Sequence, residues 1–368
     1  MFAADPVVSI ITPTYNQVAT VSACLRSAAT QSFTRWEQVV VDDGSTDGTW
    51  DLVRRMAARD GRIRCIRQAH RGLSRLAETY NDALAASRGR LVAILEGDDL
   101  WPRDKLAWQV ALHVADESLV LSHGRTWLYA AGRVTGRYSE PPTTGRSSGG
   151  TYLRLALLRQ ACIVPVSAML SRAALEAVGG FAQDDGIPAV DYPTWLRLFA
   201  HHPDAGVWFA SAPLGLWRQS PNQVSRGWGV SVPLAGLRLA LDCYDQLPVQ
   251  LRARLALRRT DIARAHWRRG IAPSHLATLR GALVRQRRAE ALTPAWALVR
   301  HGGVKRRAQG LAGLLCAALG LHLEGVFALA ARGVRRSAIP EAAAIEAWAA
   351  DLESWAGVGG GGGVVAEG

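Results

Sequence analysis

Leu91-Val92-Ala93-Ile94-Leu95-Glu96-Gly97-Asp98-Asp99-Leu100-Trp101 is the stretch that decides the fold of this chain. Its first five residues are a continuous apolar run, the mark of a strand buried on both faces in a parallel or mixed α/β sheet. Three carboxylates follow at once, at the carboxyl end of that strand, where open α/β sheets bind their ligands. Carboxylates gathered in such a place are costly unless something positive meets them. Hard divalent cations take oxygen ligands, and one or two carboxylates plus substrate phosphates complete their shell. The stretch therefore points to a metal–phosphate site, against the plainer reading of a solvated acidic turn.

Upstream, strands and helices alternate. Val7–Thr12 is an apolar strand that Pro13-Thr14-Tyr15-Asn16 is expected to break. Residues 18–30 have helical spacing in Val21, Cys24, Leu25 and Ala28. A second strand, Glu37–Val41, ends in Asp42-Asp43-Gly44-Ser45-Thr46-Asp47-Gly48-Thr49. Ser45 or Thr46, followed by Asp47, starts a helix that Trp50, Val53 and Met56 continue. Ile63–Arg67 is a third strand, and residues 74–87 form a helix (Leu76, Tyr80, Ala83, Leu84) closed by Gly89. Four alternations of strand and helix predict a doubly wound α/β layer.

From about residue 104 the pattern loosens. A helix carrying Leu106, Val110, His113 and Val114 leads to two strands, Ser118–Ser122 and Trp127–Ala130. Residues 138–150 read as a polar loop rich in Pro and Gly, a candidate lid or acceptor loop. Ala161–Leu170 reads as a strand, followed by a helix over 171–178 that Gly179-Gly180-Phe181 stops. Beyond residue 231 the chain is rich in Ala, Leu and Arg at helical spacing, and the glycines at 357 and 359–363 form a flexible tail.

At 368 residues the chain has room for two domains with sizeable cores. Its 49% hydrophobic and 20% charged residues fit a globular protein and argue against wholesale disorder. The net charge of +12 is uneven: residues 1–230 hold 24 Lys/Arg against 21 Asp/Glu, and residues 231–368 hold 19 against 10. The basic C-terminal part suits an anionic membrane surface or a solvated helix face. No nucleic-acid motif accompanies the charge, so nucleic acid is not expected as a partner. The five cysteines (Cys24, Cys65, Cys162, Cys243, Cys316) are scattered and have no CxxC spacing, which suits a reducing compartment and neither a disulfide framework nor a zinc site. Met1–Pro6 has no basic n-region, so no signal peptide is expected. Glycines, His322 and Glu324 interrupt the apolar stretch Ala308–Ala331, which reads as a buried helical hairpin more than a membrane span.

Three acidic groups fall where strands end or a helix begins: Asp42/Asp43, Glu96/Asp98/Asp99, and Asp191 in Val190-Asp191-Tyr192-Pro193-Thr194-Trp195-Leu196-Arg197-Leu198. Transfer of a sugar from a nucleotide diphosphate would use all three. One carboxylate reads the nucleoside, a second holds the metal that neutralises the leaving diphosphate, and a third takes the proton of an acceptor hydroxyl. Simple helix capping remains open for Asp42, Asp47 and Asp191. Trp101 and Trp108 read as core before sugar platforms, and His113, His123, His201 and His202 as structural.

Val8-Ser9-Ile10-Ile11-Thr12-Pro13-Thr14-Tyr15-Asn16, Val40-Val41-Asp42-Asp43-Gly44-Ser45-Thr46-Asp47-Gly48-Thr49 and Leu95 to Trp101 resemble the landmarks of family 2 glycosyltransferases of the GT-A fold, of the Glu-Gly-Asp-Asp-x-Trp type. Gly179-Gly180-Phe181, Asp191 to Leu198, and Trp217-Arg218 to Pro221 and Ser225 resemble the later landmarks in order, so the resemblance covers about residues 6–228. It implies an α/β fold: a Rossmann-like mixed central sheet flanked by helices, with a C-terminal α-helical extension. The expected division is a glycosyltransferase domain over 1–230 (nucleotide half about 6–102, acceptor half about 103–230), a helical extension over 231–356 and a tail over 357–368.

By the same resemblance, Pro13, Thr14, Tyr15 and Asn16 line the base pocket, with the ring of Tyr15 stacked on the nucleobase. Asp43 bonds the base while Asp42 and Ser45 shape the loop. Glu96 and Asp98 stand where the family writes Asp-x-Asp; Asp98 meets the ribose–metal region, and Asp98 or Asp99 binds Mg²⁺ or Mn²⁺. Asp191 is the implied catalytic base, and Arg218 complements the diphosphate. The implied reaction is a single displacement with inversion, moving a hexosyl or acetylhexosaminyl unit from a nucleotide-diphosphate sugar (UDP favoured) to a glycan or lipid-linked acceptor in bacterial polysaccharide, glycolipid or glycoprotein synthesis. The implied place is the cytoplasm, with peripheral contact at the inner face of the membrane through the Arg-rich segments 252–269 and 280–288. Three departures stand out: Glu96 for the usual Asp, Ser220 where many members carry His, and Val190 where the family has a Glu, which leaves Asp191 without an acidic neighbour in sequence. These departures motivate a second reading, a non-catalytic sugar-nucleotide-binding or scaffold protein of the same fold. A nucleotidyltransferase is disfavoured, because Pro13-Thr14-Tyr15-Asn16 is not a Gly-rich basic phosphate loop.

Overall fold

The computed structural model describes residues 5–138, 140–141, 144–160, 163–184, 188–220, 229–320 and 342–354. They fall into two compact units: residues 1–155, 160–220 and 339–368 form one, and residues 156–159 and 221–338 the other. In the first, strands β1 (Val8–Thr14), β2 (Trp36–Asp42), β3 (Ile63–Arg67) and β4 (Leu91–Ile94) alternate with helices α1 (Val21–Ala29), α2 (Thr49–Ala57) and α3 (Leu76–Ala85). Then come α4 (Lys105–Ala115), β5 (Leu119–Ala130), β6 (Arg133–Arg137), β7 (Gly145–Ser148), α5 (Gly149–Leu157), β8 (Met169–Ser171), α6 (Arg172–Ala177), α7 (Asp191–His201) and β9 (Gly206–Arg218).

One mixed sheet has the order β3-β2-β1-β4-β8-β5-β9-β7, with β6 paired to β5. Strands β1 to β4 run parallel, β8 lies antiparallel between β4 and β5, and β5 pairs parallel with β9. Every residue of β1, β2 and β4 is buried; β4 is apolar throughout, while the polar side chains inside β1 and β2 bond one another, Ser9 to Glu37 and Gln38 to Thr12. The Rossmann-like mixed sheet with flanking helices is the expected fold.

Pro13 does not end the first strand. β1 continues to Thr14, with Pro13 opposite Val41 and Thr14 opposite Asp42. On its other side the ladder with β4 stops at Ile11–Ile94, so the missing N–H of Pro13 falls where no strand partner needs it. The expected strands 118–122 and 127–130 are one long strand, β5, whose register against β9 shifts near Leu119/Leu121 and at Gly124–Thr126. Its middle looks like a turn because it holds Ser122, His123 and Thr126, yet all three are buried. Ser122 accepts a bond from Gln109 at 3.1 Å, and His123 pairs with Tyr152 at 2.8 Å. Burial depresses the imidazoles of His113 and His123 to about 4 and about 3, which fits their structural reading.

The strand expected over 161–170 is instead a 3₁₀ turn, Pro165–Ser167, and the short β8; residues 161 and 162 lie outside the described residues. Within the expected loop 138–150, β7 pairs with β9 and α5 begins at Gly149; residues 139, 142 and 143 lie outside the description. Trp101 is core, with no exposed surface, and donates its indole N–H to the Val166 carbonyl at 2.6 Å. The buried Lys105 ammonium lies 4.3 Å from its ring.

The second unit is helical where described, with Ser231–Gln246, Val249–Leu255, Arg259–His266, Ala272–Val284, Arg288–His301 and Val304–Leu319. Leu276, Leu279, Ala295, Leu298 and Ala317 are in the core of its last three helices. The expected hairpin over 308–331 is seen only as the helix ending at Leu319; the rest, like the glycine tail, lies outside the described residues. The helix Ala342–Ser354 falls in the stretch assigned by sequence to the extension, but it packs within the first unit. Its Ala349 and Leu352 join a core with Ala23, Leu100, Trp127, Tyr129 and Leu216.

Candidate active site

The carboxyl ends of β1, β2 and β4 converge on one face, and the loops that leave them are laced together. Asn16, at a left-handed φ of 49°, donates its N–H to Ser45 Oγ at 2.9 Å and accepts the Thr46 N–H at 2.8 Å. Gln17 N–H donates to Thr49 Oγ1, and Val18 N–H to Asp47 Oδ2. Asp47 thus ties the loop and also accepts from Thr49 N–H at 3.0 Å, the capping role left open for it. Asp42 is fully buried; it accepts the Ser45 N–H at 3.1 Å and meets Arg67 Nε at 3.5 Å. The capping reading of Asp42 is therefore replaced by a loop-shaping one, shared with Ser45.

Asp43 is heavily engaged. Its carboxylate accepts from Gln68 Nε2 at 2.7 Å, Arg71 N–H at 2.9 Å and Gly72 N–H at 3.0 Å, with His70 Nδ1 at 3.0 Å. Burial alone would raise its pKa, but these donors outweigh it and hold the carboxyl below the usual range. The imidazole of His70 stacks on Tyr15, with ring centroids 4.1 Å apart, and Tyr15 stays partly exposed. Gly44, at φ +76°, lets this loop come close, since a Cβ there would lie 2.9 Å from His70 N. Thr14, Tyr15, Asn16, Asp43 and His70 therefore gather at the carboxyl ends of β1 and β2.

The turn after β4 is held on three sides. Gly97 N–H donates to Pro13 O at 3.2 Å, Thr20 Oγ1 to Gly97 O at 3.1 Å, and Asp99 N–H closes the turn on Glu96 O at 2.9 Å. A Cβ on Gly97 would meet Gln17 Oε1 and lie 2.8 Å from Thr14 Oγ1. Gly97→Ala should therefore cost about 1–3 kcal/mol of stability and displace the Thr14 and Gln17 side chains; a thermal melt beside a nucleotide titration checks both effects.

Asp99 is fully buried, and its Oδ1 accepts the Arg218 N–H at 2.8 Å from the end of β9. Its Oδ2 has no hydrogen-bond partner among the described residues. Asp98 and Glu96 are partly buried. Arg218 Nε donates to Asp98 O at 2.7 Å, so the guanidinium lies directly against the acidic turn. Tyr80, on α3, donates its hydroxyl to Glu96 Oε1. Glu96 is pushed up to about 7, first by burial and then by the negative charges of Asp98 and Asp191, while the Tyr80 bond pulls the other way. Burial also raises Asp98, and it raises Asp99 well above the carboxylate range with help from Asp98 and Glu96. Burial raises all three carboxyls, and the charge of Asp98 adds to the rise of Glu96 and Asp99, so the turn favours a positive partner.

Asp191 is the first residue of α7; Val190 occupies the cap position, so Asp191 lies in the first helical turn, where the helix dipole favours its charged form. The start of α7 is pinned by Thr194 Oγ1, which accepts Ala182 N–H at 2.9 Å and donates to Val190 O at 2.6 Å. Phe181 is clasped by Asn81 of α3 through bonds of 2.8 and 2.9 Å, and its ring meets Tyr80 edge-on. This lacing brings Asp191 into electrostatic reach of Glu96 and Tyr80. The acidic neighbour that Val190 does not provide in sequence is thus supplied in space by Glu96.

Sequence reasoning placed Asp98, Asp99, Glu96, Asp191 and Arg218 in one site, and the fold brings them together. It missed Tyr80, which reads as one more position of an apolar helical stripe, and His70 and Gln68, which lie in a loop without pattern. Ser220 is described only as partly buried at the end of β9, and Pro221 and Ser225 lie outside the described residues. Among the described residues there is no group of three or more His, Cys, Asp or Glu side chains arranged to hold a metal by themselves. The donor set present, Asp98 with the partnerless buried oxygen of Asp99, fits a cation whose shell is completed by phosphates.

A family profile described as "Glycosyl transferase family 2" matches residues 9–179. The UDP-Glc:alpha-D-GlcNAc-diphosphoundecaprenol beta-1,3-glucosyltransferase WfaP of Escherichia coli is 29% identical over 193 residues, 52% of this chain and 70% of that protein. The putative teichuronic acid biosynthesis glycosyltransferase TuaG of Bacillus subtilis is 40% identical over 105 residues, spanning 28% of this chain and 41% of its own length. In three dimensions, S. aureus TarS 1–349 in complex with UDP-GlcNAc superposes with a TM-score of 0.60 at 16% identity, covering 85% of this chain and 90% of that one, a likeness of fold. Residues 9–179 thus match glycosyltransferase family 2, and the mixed sheet with its flanking helices is the GT-A fold.

Proposed function

We propose that this glycosyltransferase moves a hexosyl or acetylhexosaminyl unit from a nucleotide-diphosphate sugar, UDP-linked by preference, to a hydroxyl of a glycan or lipid-linked acceptor, with inversion. The observation that carries this reading is the gathering of Asp98, Glu96, Asp191 and Arg218 about the turn after β4, with Tyr15 stacked on His70 and Asp43 bonded to it at the ends of β1 and β2. Tyr15 offers its exposed ring to the base, in exchange for or in addition to His70. Asp43, already fixed by four donors, reads the base from a rigid position. Arg218 opposes the diphosphate with a charge that cannot be lost. Asp191 takes the acceptor proton as the acceptor oxygen attacks the anomeric carbon, and the bond to the diphosphate oxygen breaks on the opposite face. Asp98, with Asp99 behind it, would hold Mg²⁺ or Mn²⁺, which when bound neutralises the leaving diphosphate. Incubation with UDP-, GDP- and dTDP-sugars, with and without Mn²⁺, tests the reading: release of nucleoside diphosphate from at least one donor supports it, and inertness toward all of them contradicts it.

The WfaP name specifies a diphosphoundecaprenol-linked acceptor, and an acceptor of that class would bring this chain to the inner face of the membrane from the cytoplasm. No helix among the described residues is long and apolar enough to cross a membrane. Support for a peripheral contact comes from the second unit, where Leu292, Trp296, Leu311, Leu315 and Leu319 are exposed. Residues 285–319 around them carry seven Lys/Arg against one Glu. This moves the expected contact from segments 252–269 and 280–288 toward the hairpin 288–319. Flotation with phosphatidylglycerol vesicles should exceed flotation with phosphatidylcholine and should fall when Trp296 and Leu315 are changed together to Ser; equal flotation on both lipids removes the membrane reading.

A further inference from the structure

Arg218 is held from the far end of the chain. Its Nη1 lies 2.6 Å from Glu353 Oε1, with both side chains largely covered. The other oxygen of Glu353 accepts the Tyr129 hydroxyl at 3.2 Å, and the ring of Tyr129 lies 5.2 Å beneath the Arg218 guanidinium. Arg218, Glu353 and Tyr129 thus form a closed ring of contacts, with the guanidinium clamped between Glu353 and the Asp98 carbonyl.

The helix that carries Glu353 is fastened independently. Ala349 and Leu352 are buried against Trp127, Tyr129 and Leu216, and Ile345 and Trp348 pack beside them. Glu346 accepts the Val134 N–H at 2.8 Å, and Arg26 of α1 donates to the Leu352 carbonyl. An arginine otherwise has several rotatable bonds to fix, and a charge-assisted bond to Glu353 favours one rotamer before a ligand arrives.

We propose that Glu353 is a positioning residue: through it, the C-terminal helix Ala342–Ser354 sets the Arg218 guanidinium for the donor diphosphate and completes the donor site. This rests on the reading of Arg218 given above. The helix lies outside the residues that match the family profile, so this part of the site is carried by the chain's own C-terminal segment.

The test uses the full chain and the donor that the wild type hydrolyses in the nucleotide-sugar panel. Glu353→Ala, Glu353→Asp, Arg218→Ala, the Arg218/Glu353 double alanine variant and Glu346→Ala are compared for kcat, donor KM and thermal midpoint. Glu346→Ala removes one bond of the same helix but leaves its buried face, the Arg26 bond and the Arg218–Glu353 contact in place. The expected result is a fall in kcat of about tenfold or more for Glu353→Ala, with partial recovery in Glu353→Asp and a kcat near wild type in Glu346→Ala. The double variant should be no slower than Arg218→Ala alone, because Glu353 acts only through Arg218. A Glu353→Ala protein with wild-type kcat beside an impaired Arg218→Ala protein overturns the proposal and leaves the donor reading standing. So does a double variant whose losses multiply, or a kcat loss that Glu346→Ala reproduces. A wild-type rate in Arg218→Ala, or a wild type inert toward every donor, overturns the reading of the site and the proposal with it.

Discussion

Asp191→Asn should lower donor turnover by about 10²–10⁴-fold, the range for loss of a general base, while UDP affinity stays within a few-fold of wild type. Asn keeps the size and polarity of the side chain at the first turn of α7 but cannot take a proton. The local frame is fixed by other groups: Thr194 bridges Ala182 and Val190, and Asn81 holds Phe181. The thermal midpoint should therefore move little. The same variant decides between the two functional classes the sequence admits, since a sugar-nucleotide-binding scaffold has no turnover to lose. Turnover unchanged by Asp191→Asn would remove this residue from the chemistry.

Asp98→Asn should move binding and stability in opposite directions. Without a cation, Asp98 raises the proton affinity of both Glu96 and Asp99, so it destabilises the acidic turn in which it sits. Neutralising it relieves that repulsion, and the thermal midpoint of the metal-free protein should rise. With Mn²⁺ and UDP present, the same change removes a carboxylate proposed to hold the cation. UDP affinity in Mn²⁺ should fall by about tenfold or more, the scale of one charge-assisted contact of about 1.5–3 kcal/mol. This is the pattern of a site whose strain is kept for function. Parallel thermal melts and UDP titrations of wild type and variant check it; a lower midpoint together with unchanged Mn²⁺-dependent affinity would contradict it.

The parallel half of the sheet was legible because burial on both faces keeps its strands mainly apolar: Ile10-Ile11, Val39-Val40-Val41 and Leu91 to Ile94 mark β1, β2 and β4 despite the buried Ser9, Glu37 and Gln38, and acids begin at the carboxyl ends of β2 and β4. The other half was harder for a physical reason. β5 keeps polar residues inside by pairing them: Ser122 with Gln109, His123 with Tyr152. A sequence reader sees Ser-His-Gly-Arg-Thr and infers a break, although the partners that satisfy those groups arrive from distant elements. Pro13 misled in the same way, since its harmlessness depends on where β4 stops.

The site divides along similar lines. The acids stand out where strands end or a helix begins, and the family resemblance supplies Arg218. Their supports did not stand out: the hydroxyl of Tyr80 on Glu96, the amide of Gln68 and the imidazole of His70 on Asp43, and Glu353 on Arg218. Each belongs to an element whose residues have another evident task, packing a helix face or crossing a loop. Only the tertiary fold shows that they also orient the acids and the guanidinium. The electrostatic result, buried carboxyls of which Asp98 raises the proton affinity of Glu96 and Asp99, is likewise a property of the assembled turn and not of any one residue.

A calorimetric titration of the wild-type protein with UDP, GDP and dTDP, each run in Mn²⁺ and again in EDTA, measures directly whether the acidic strand ends bind a nucleoside diphosphate through a divalent cation. Saturable binding of at least one of the three, strongest for UDP, is expected, and it should weaken by about tenfold or more when the cation is withdrawn. Absence of binding to all three in Mn²⁺, or equal affinity in EDTA, would contradict this mode of binding.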